Sequence, residues 1–253
     1  DISIYKSWRY YVVSKLDLAL IKKEKISKIR LFLSGFKYLI LFNRNQKQIN
    51  SVYKNDEKID IVFIVQTISH YKSLKPLLSY ISKEQEINYR IICDVDVNLM
   101  NFLRKNNIRH INHNHFPVNF YKILKILSEI INNILEFSKS IKVGLINENI
   151  RIGSILFLKN KAIATAHKIF FIDKALKKIK PRCIIFFNQD LSLSQIANQI
   201  AKKMSIKTFY LQHGNIGPDN LFNTYIDSDI SIVSGKTDEK IIKELGCQSS
   251  LIY

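Results

Sequence analysis

Cysteine is scarce in this 253-residue chain, and its three copies are widely spaced. Cys93, Cys183 and Cys247 form no Cys-x-x-Cys pair. This spacing argues against a disulfide scaffold and against a zinc site, and it fits a reducing, cytoplasmic compartment.

Acidic residues are also scarce, with 21 Asp and Glu against 39 Lys and Arg, so the net charge is +18. Such a charge favours a partner that is negatively charged, such as nucleic acid, anionic lipid or a phosphorylated substrate. AT-biased coding, which enriches Lys, Asn, Ile, Phe and Tyr together, explains the excess equally well. No RNA-binding or helix-turn-helix signature accompanies the charge, so we expect no nucleic-acid partner.

The chain has no apolar run long enough to span a bilayer, which takes about 20 residues. Residues 1–58 carry 13 Lys and Arg against 5 Asp and Glu. They predict a basic helical N-terminal segment, with helices at 7–19 and 26–42 and a linker at 43–58. Such a helix can lie on an anionic membrane surface, here the inner face of the plasma membrane, or pack on its own domain.

Glycine-rich nucleotide loops are missing as well. The first predicted strand is followed by Gln66-Thr67-Ile68-Ser69-His70, with no Gly-x-Gly-x-x-Gly. Gly235-Lys236-Thr237 resembles the end of a phosphate-binding loop, but the first glycine of that motif would fall at Ile230. What remains is a helix start led by glycine, whose free amides can bind a phosphate.

Residues 59–253 alternate between strand-like and helix-like segments. The β-branched run at 61–65 is typical of a strand buried on both faces of a parallel sheet. The pattern predicts an α/β, Rossmann-like doubly wound parallel sheet. We expect strands at 61–65, 89–93, 108–111, 183–187, 206–211 and 229–233, and helices at 74–81, 97–106, 118–138, 150–180, 192–204 and 238–245.

Two clusters have metal-like composition. Asp94 and Asp96 have the Asp-x-Asp spacing that holds divalent ions in many sugar transferases, but this spacing is also common at strand exits and helix caps. His110, His113 and His115 lie close together without a carboxylate or cysteine pattern that completes a known site, and a solvated loop explains them. We therefore predict no metal.

Polar residues follow several predicted strands, at the edge where open α/β sheets bind ligands. Asn188, Gln189 and Asp190 follow the strand at 183–187, and His213, between Gln212 and Gly214, follows the strand at 206–211. The two exits should be neighbours if their strands pair. An imidazole titrates near neutral pH and can take a proton from an attacking hydroxyl, and Gly214 permits a tight turn. His213 is the predicted catalytic residue.

Gln212-His213-Gly214 after a strand, then residues 225–235, then a helix ending in Leu245-Gly246, resemble bacterial surface-polysaccharide transferases of the GT-B fold. These include capsule glycosyltransferases, CDP-glycerol glycerophosphotransferases and the related UDP-GlcNAc 2-epimerases. The resemblance is strongest over 181–253, is architectural over 59–180, and is absent from 1–58. It implies the N-terminal, acceptor-binding half of a GT-B enzyme, truncated before the donor-binding domain.

The resemblance also implies roles for residues. A His-Gly at this strand exit is catalytic in the glycerophosphotransferases, where Thr and Pro usually follow; here Asn215 and Ile216 follow, which favours a sugar donor. It implies a nucleotide-activated sugar as substrate, a glycan or lipid-linked acceptor, and no cofactor, since helix dipoles and basic groups can offset the diphosphate charge. An epimerase and a non-catalytic, membrane-associated binding domain are the alternatives. The predicted substrate-binding residues are His70, Asn188, Gln189, Gln212, Gly214, Asn215, Ser234 and Gly235.

Overall fold

The computed structural model describes residues 58–83, 87–93, 96–112, 116, 119–140, 162–187, 192–214, 227–244 and 250–252. The predicted helices at 7–19 and 26–42 lie outside these ranges. The elements follow in the order β1 (Ile61–Val65), α1 (Ile68–Ile81), β2 (Tyr89–Cys93), α2 (Val97–Lys105), β3 (His110–Ile111), α3 (Phe120–Ser140), α4 (Ala162–Ile179), β4 (Cys183–Phe186), α5 (Ser192–Lys203), β5 (Lys207–Leu211), β6 (Ile230–Ile232), α6 (Lys236–Glu244) and β7 (Ser250–Ile252).

The chain divides into two compact units. One comprises residues 1–52 and 114–171, and its described part contains α3 and the first part of α4, with the Phe116 ring 5.8 Å from that of Phe171. The other comprises residues 53–113 and 172–253 and contains the sheet. The predicted boundary at 58/59 falls at the edge of the described residues and stays a prediction.

Within the described residues the sheet has seven strands in the order β3-β2-β1-β4-β5-β6-β7, and every neighbouring pair is parallel. Ile61 of β1 aligns with Tyr89 of β2 on one side and with Cys183 of β4 on the other. The chain thus places β2 and β3 on one side of β1, and then returns to place β4 to β7 on the other side. The predicted Rossmann-like α/β fold is confirmed.

The core explains why β1 is so apolar. Phe63 and Val65 pack in a buried cluster with Leu74 of α1 and Leu99 of α2. Because side chains alternate along a strand, the equally buried Val62 and Ile64 point to the other face. α5 packs along β1, β4 and β5. A central strand covered on both faces has to be apolar at every position, as the sequence shows.

The first helix begins earlier than its apolar periodicity predicts. α1 starts at Ile68, six residues before the predicted start at residue 74, and Pro76 lies inside it rather than in its first turn. Thr67 is the N-cap, and its side chain accepts a hydrogen bond from the His70 amide at 3.2 Å. The earlier start places Ser69 and His70 on the helix instead of in a loop.

A buried polar tie joins β5 to the start of β6. The Thr208 side chain is fully buried, and its amide and hydroxyl both donate to Asp229 Oδ2, at 2.8 and 3.0 Å. The Asp229 amide donates back to Thr208 Oγ1 at 2.9 Å. Removing the carboxylate would leave a buried amide and a buried hydroxyl without their acceptor.

We expect Asp229→Ala to lower the free energy of unfolding by about 1–3 kcal/mol, the usual cost of unpaired buried polar groups. Urea denaturation measures the change. Glu244→Ala is the matched control, because its ion pair with Lys240 is long (3.9 Å) and exposed, and such pairs contribute little. Equal stability of the two variants would show that the tie contributes nothing.

Candidate functional site

The order of the strands creates a crevice at the carboxyl edge of the sheet. The chain leaves β1 toward β2 on one side, and β4 later returns to pair with β1 on the other side. In open α/β sheets, ligands bind beyond the carboxyl ends of the strands at such a reversal. α1 follows β1 here, Phe187 follows β4, and Gln212 and His213 follow β5.

His213 is exposed at the end of β5, and both of its ring nitrogens are hydrogen-bonded to α1. Nε2 lies 3.2 Å from Ser69 Oγ, and Nδ1 lies 3.1 Å from Ser73 Oγ. These two bonds fix the imidazole across the ends of three neighbouring strands, β1, β4 and β5. His213 therefore lies at the carboxyl edge of the sheet, exposed and with its ring orientation fixed by two hydrogen bonds.

His70 lies beside His213 but is buried, with only 3% of its surface exposed. The two rings meet edge-on, with centroids 5.1 Å apart, and the His70 ring also lies 5.4 Å from that of Phe187. Burial, and next the nearby charge of His213, lower the pKa of His70 from 6.5 to about 4. At neutral pH His70 is therefore an uncharged imidazole.

The Nδ1 atom of His70 is buried and has no hydrogen-bond partner among the described residues. A buried nitrogen left unpaired costs free energy, about 1–3 kcal/mol, so a polar group from a ligand or water would stabilise it. His70 was predicted as a binding residue from its position after the first strand. The structure places it next to His213, and its role as a binding residue stays a prediction.

Gln212 uses its side chain to connect two loops at this edge. Its Nε2 donates to Asp238 Oδ2 at 2.7 Å and to the Gly214 carbonyl at 2.9 Å, and its Oε1 accepts from the Ser234 amide at 2.8 Å. Gly214 has a φ of +85°, the left-handed conformation that glycine favours, and the predicted tight turn continues outside the described residues. The Gln212 side chain thus ties the turn after β5 to the N-terminus of α6.

The Gln212 side chain occupies one of the two backbone amides, those of Ser234 and Gly235, that are predicted to bind phosphate. The Ser234 amide is already paired with Gln212, so a phosphate could use it only by displacing that side chain. Asp238 also places a carboxylate in the first turn of α6, where the helix dipole already has a negative partner. The Gly235 carbonyl accepts from the Glu239 amide, as the residue before a helix does.

Several predicted residues lie outside the described ranges: Asn188, Gln189, Asn215, Asp94, His113 and His115. Their roles stay predictions. β4 and β5 pair as expected, so the carboxyl ends of these two strands are neighbours. Asp96 is the N-cap of α2 and accepts from the Leu99 amide at 2.7 Å. His110 lies in β3, where it is half-buried, with Nδ1 2.8 Å from the Ile108 carbonyl.

No three side chains of His, Cys, Asp or Glu in the described part of the chain come together as a metal-binding group. None of its helices combines the length and the apolar character that crossing a bilayer requires.

Ser69 and Ser73 were not predicted from the sequence. Their signal was local: Thr67 is a good N-cap residue, and a helix begun there puts two serines four residues apart on one face. The prediction began the helix at residue 74, on apolar periodicity, and so treated Ser69 as part of a loop. That both serines meet a histidine about 140 residues later follows only from the three-dimensional structure.

No protein-family model and no curated protein matches the chain. Similar solved structures include UDP-N-acetylglucosamine 2-epimerase from Rickettsia bellii, with 16% identity and a TM-score of 0.46 over 77% of this chain and 44% of that one. The UDP-GlcNAc 2-epimerase from Methanocaldococcus jannaschii gives 14% and 0.47 over 77% and 45%, and MurG from Acinetobacter baumannii gives 8% and 0.40 over 76% and 44%. The chain thus spans less than half the length of these proteins. Similarities of this size do not distinguish between activities.

The lowered pKa of His70 predicts how stability changes with pH. Between pH 6.5 and about 4 the unfolded chain binds a proton that the folded chain does not, so the free energy of unfolding falls as the pH falls through this window. The loss from His70 is on the order of 3 kcal/mol at full titration. In urea denaturation at several pH values, we expect His70→Phe to reduce this dependence.

The exposed Ser79→Ala on the same helix should keep the slope of the wild type. The pKa of His110 is also lowered by burial, but its contribution is common to both proteins and cancels in the difference. An unchanged slope in His70→Phe would mean that His70 does not titrate in this window.

The Gln212 connection gives a second prediction for this site. We expect Gln212→Ala to expose the Ser234 amide, so that its hydrogen exchange measured by NMR becomes about fivefold faster, since one lost hydrogen bond is worth about 1 kcal/mol. The Glu239 amide, which donates to the Gly235 carbonyl at 3.0 Å, is the internal control. Equal acceleration of both amides would indicate general fraying of α6 instead.

Proposed function

We propose that this chain is the acceptor-binding half of a GT-B glycosyltransferase, which transfers a sugar from a nucleotide-activated donor to a surface-polysaccharide acceptor. One observation carries the proposal: an exposed imidazole, His213, is held at the carboxyl edge of the sheet beside the strand reversal. A general base has to be within reach of a ligand in the crevice and oriented toward it. In support of this role, His213 is exposed at that edge and its ring orientation is fixed by Ser69 and Ser73.

The reaction assigned to this site needs one proton acceptor from this half of the enzyme. His213 takes the proton of an acceptor hydroxyl as that oxygen bonds to the anomeric carbon of the sugar. The bond from that carbon to the nucleoside diphosphate breaks, and the diphosphate leaves with the electron pair. Positioned general bases contribute typically about 10²–10⁴-fold to rate.

His70 supports this role by remaining uncharged. With its pKa lowered to about 4 it carries no positive charge at neutral pH, so it does not repel the imidazolium that forms on His213. Its buried Nδ1 has no hydrogen-bond partner among the described residues, and a hydroxyl of the acceptor can supply one. We therefore propose His70 as a binding residue and His213 as the base.

We assign no contact with the nucleotide-activated donor to the described residues. Ser234 and Gln212 are committed to each other, so we assign them the role of shaping the edge. The nucleotide-activated sugar, the glycan or lipid-linked acceptor, and the contributions of Asn188, Gln189 and Asn215 are part of the proposal and follow from the resemblance in the sequence.

We expect His213→Gln to lower kcat of the full-length enzyme, supplied with donor and acceptor, by about 10²-fold or more, because Gln can bond to the serines but cannot accept a proton. The acidic limb of the pH–rate profile, which reports the free base, should disappear with it. The measurement is release of nucleoside diphosphate and product mass.

Ser79→Ala serves as control, since Ser79 is exposed on α1 and belongs to no contact of the site. Undiminished transfer by His213→Gln would remove the base assignment. If the wild type reacted with UDP-N-acetylhexosamine alone, with no acceptor present, the assigned activity would be epimerisation instead of transfer. Transfer of glycerol phosphate from CDP-glycerol would instead assign the glycerophosphotransferase activity.

A further inference from the structure

The two hydrogen bonds of the His213 ring cannot be equivalent. A neutral imidazole has one N–H and one nitrogen that accepts. One serine must therefore accept from the ring while the other donates to it. Ser69 Oγ lies 3.2 Å from Nε2 and Ser73 Oγ lies 3.1 Å from Nδ1, so the distances alone do not decide which is which.

The direction of α1 distinguishes the two serines. α1 follows β1 and begins at the carboxyl edge of the sheet, so each turn of the helix leads away from the crevice. Ser69 is in the first turn, at the crevice, and Ser73 is one turn further along. The Nε2 side of the ring therefore meets the end of the helix that borders the crevice, and the Nδ1 side lies one turn away from it.

We infer that Ser73 is the positioning residue that fixes the tautomer of His213, accepting a hydrogen bond from Nδ1–H, and that Ser69 donates to Nε2 at the place an acceptor hydroxyl takes. This inference rests on the proposed function and deepens it. The acceptor group is then an alcohol, because it takes the place of the Ser69 hydroxyl at Nε2.

The proton balance follows from this arrangement. The acceptor hydroxyl displaces the Ser69 hydroxyl from Nε2, and its proton moves to Nε2 as the new bond to the anomeric carbon forms. The resulting imidazolium keeps its Nδ1–H bond to Ser73 Oγ, which stabilises the positive charge. Nothing is oxidised or reduced, and the diphosphate leaves with the electron pair of the broken bond.

The tautomer is measurable on this chain without substrate. In ¹⁵N-histidine-labelled protein under conditions in which the His213 ring is neutral, we expect a protonated Nδ1 and an unprotonated Nε2. The signal is assigned by its absence in His213→Gln. Ser73→Ala should shift the population toward Nε2–H, Ser73→Thr should restore the Nδ1–H form, and Ser79→Ala should leave it unchanged.

Kinetics of the full-length enzyme give the second readout. Ser73→Ala should lower kcat by about tenfold, part of the general-base contribution, with little change in KM for the acceptor. Ser69→Ala should instead lower KM for the acceptor, because the hydroxyl that competes for Nε2 is gone. Ser73→Thr should recover most of kcat.

The outcomes separate this inference from the proposed function. If His213→Gln abolishes transfer but Ser73→Ala leaves both the tautomer and kcat unchanged, the base assignment stands and the inference is overturned. If transfer survives His213→Gln undiminished, the base assignment fails and this inference fails with it, whatever the tautomer; if the full-length wild type transfers no sugar, the proposed function itself fails. His213-dependent labelling of Ser69 by a fluorophosphonate would make Ser69 a nucleophile and would also overturn the inference.

Discussion

The hydrogen bonds from the His213 ring to Ser69 and Ser73 connect the end of β5 to the helix that follows β1. β4 lies between these two strands, so the bonds cross the point where the strand order reverses. At this edge the chain would otherwise be held only by the sheet below. The position of the imidazole is set by this connection, and the proposed chemistry depends on it.

Some of the neighbouring polar groups are hydrogen-bonded within the loops at this edge of the sheet, and others have a polar atom without a partner among the described residues. Gln212 has committed its side-chain oxygen and nitrogen to Ser234, Gly214 and Asp238, so it shapes the loops. His70, by contrast, is buried beside Phe187 with one nitrogen unpaired among the described residues. A satisfied amide stabilises a structure, whereas an unsatisfied buried nitrogen costs stability unless a ligand or water meets it. This difference is why His70, and not Gln212, is proposed to contact the acceptor.

The arrangement of charge also agrees with an acceptor site. The two imidazoles meet edge-on, and burial keeps His70 uncharged at neutral pH. One histidine can then take up a proton without repulsion from the other. The N-terminus of α6, the expected phosphate contact, is occupied by Asp238 and by the Gln212 side chain. The described edge is thus better suited to a hydroxyl group than to a diphosphate.

The sequence by itself determined the sheet and the place of His213 after a strand end. The continuous apolar run at 61–65 could only be a strand covered on both faces, and β1 and β2 have the predicted bounds. An exposed histidine before a glycine at a strand end was recognisable because local patterns record burial and turns. The tertiary structure decided what the ring touches. Thr67 caps α1 six residues before the predicted start, and Ile68 and Tyr71 continue its apolar face toward the crevice. Strand pairing then brings Ser69 and Ser73 to a residue far along the chain. Contacts between distant residues depend on register and helix direction, which local periodicity does not contain.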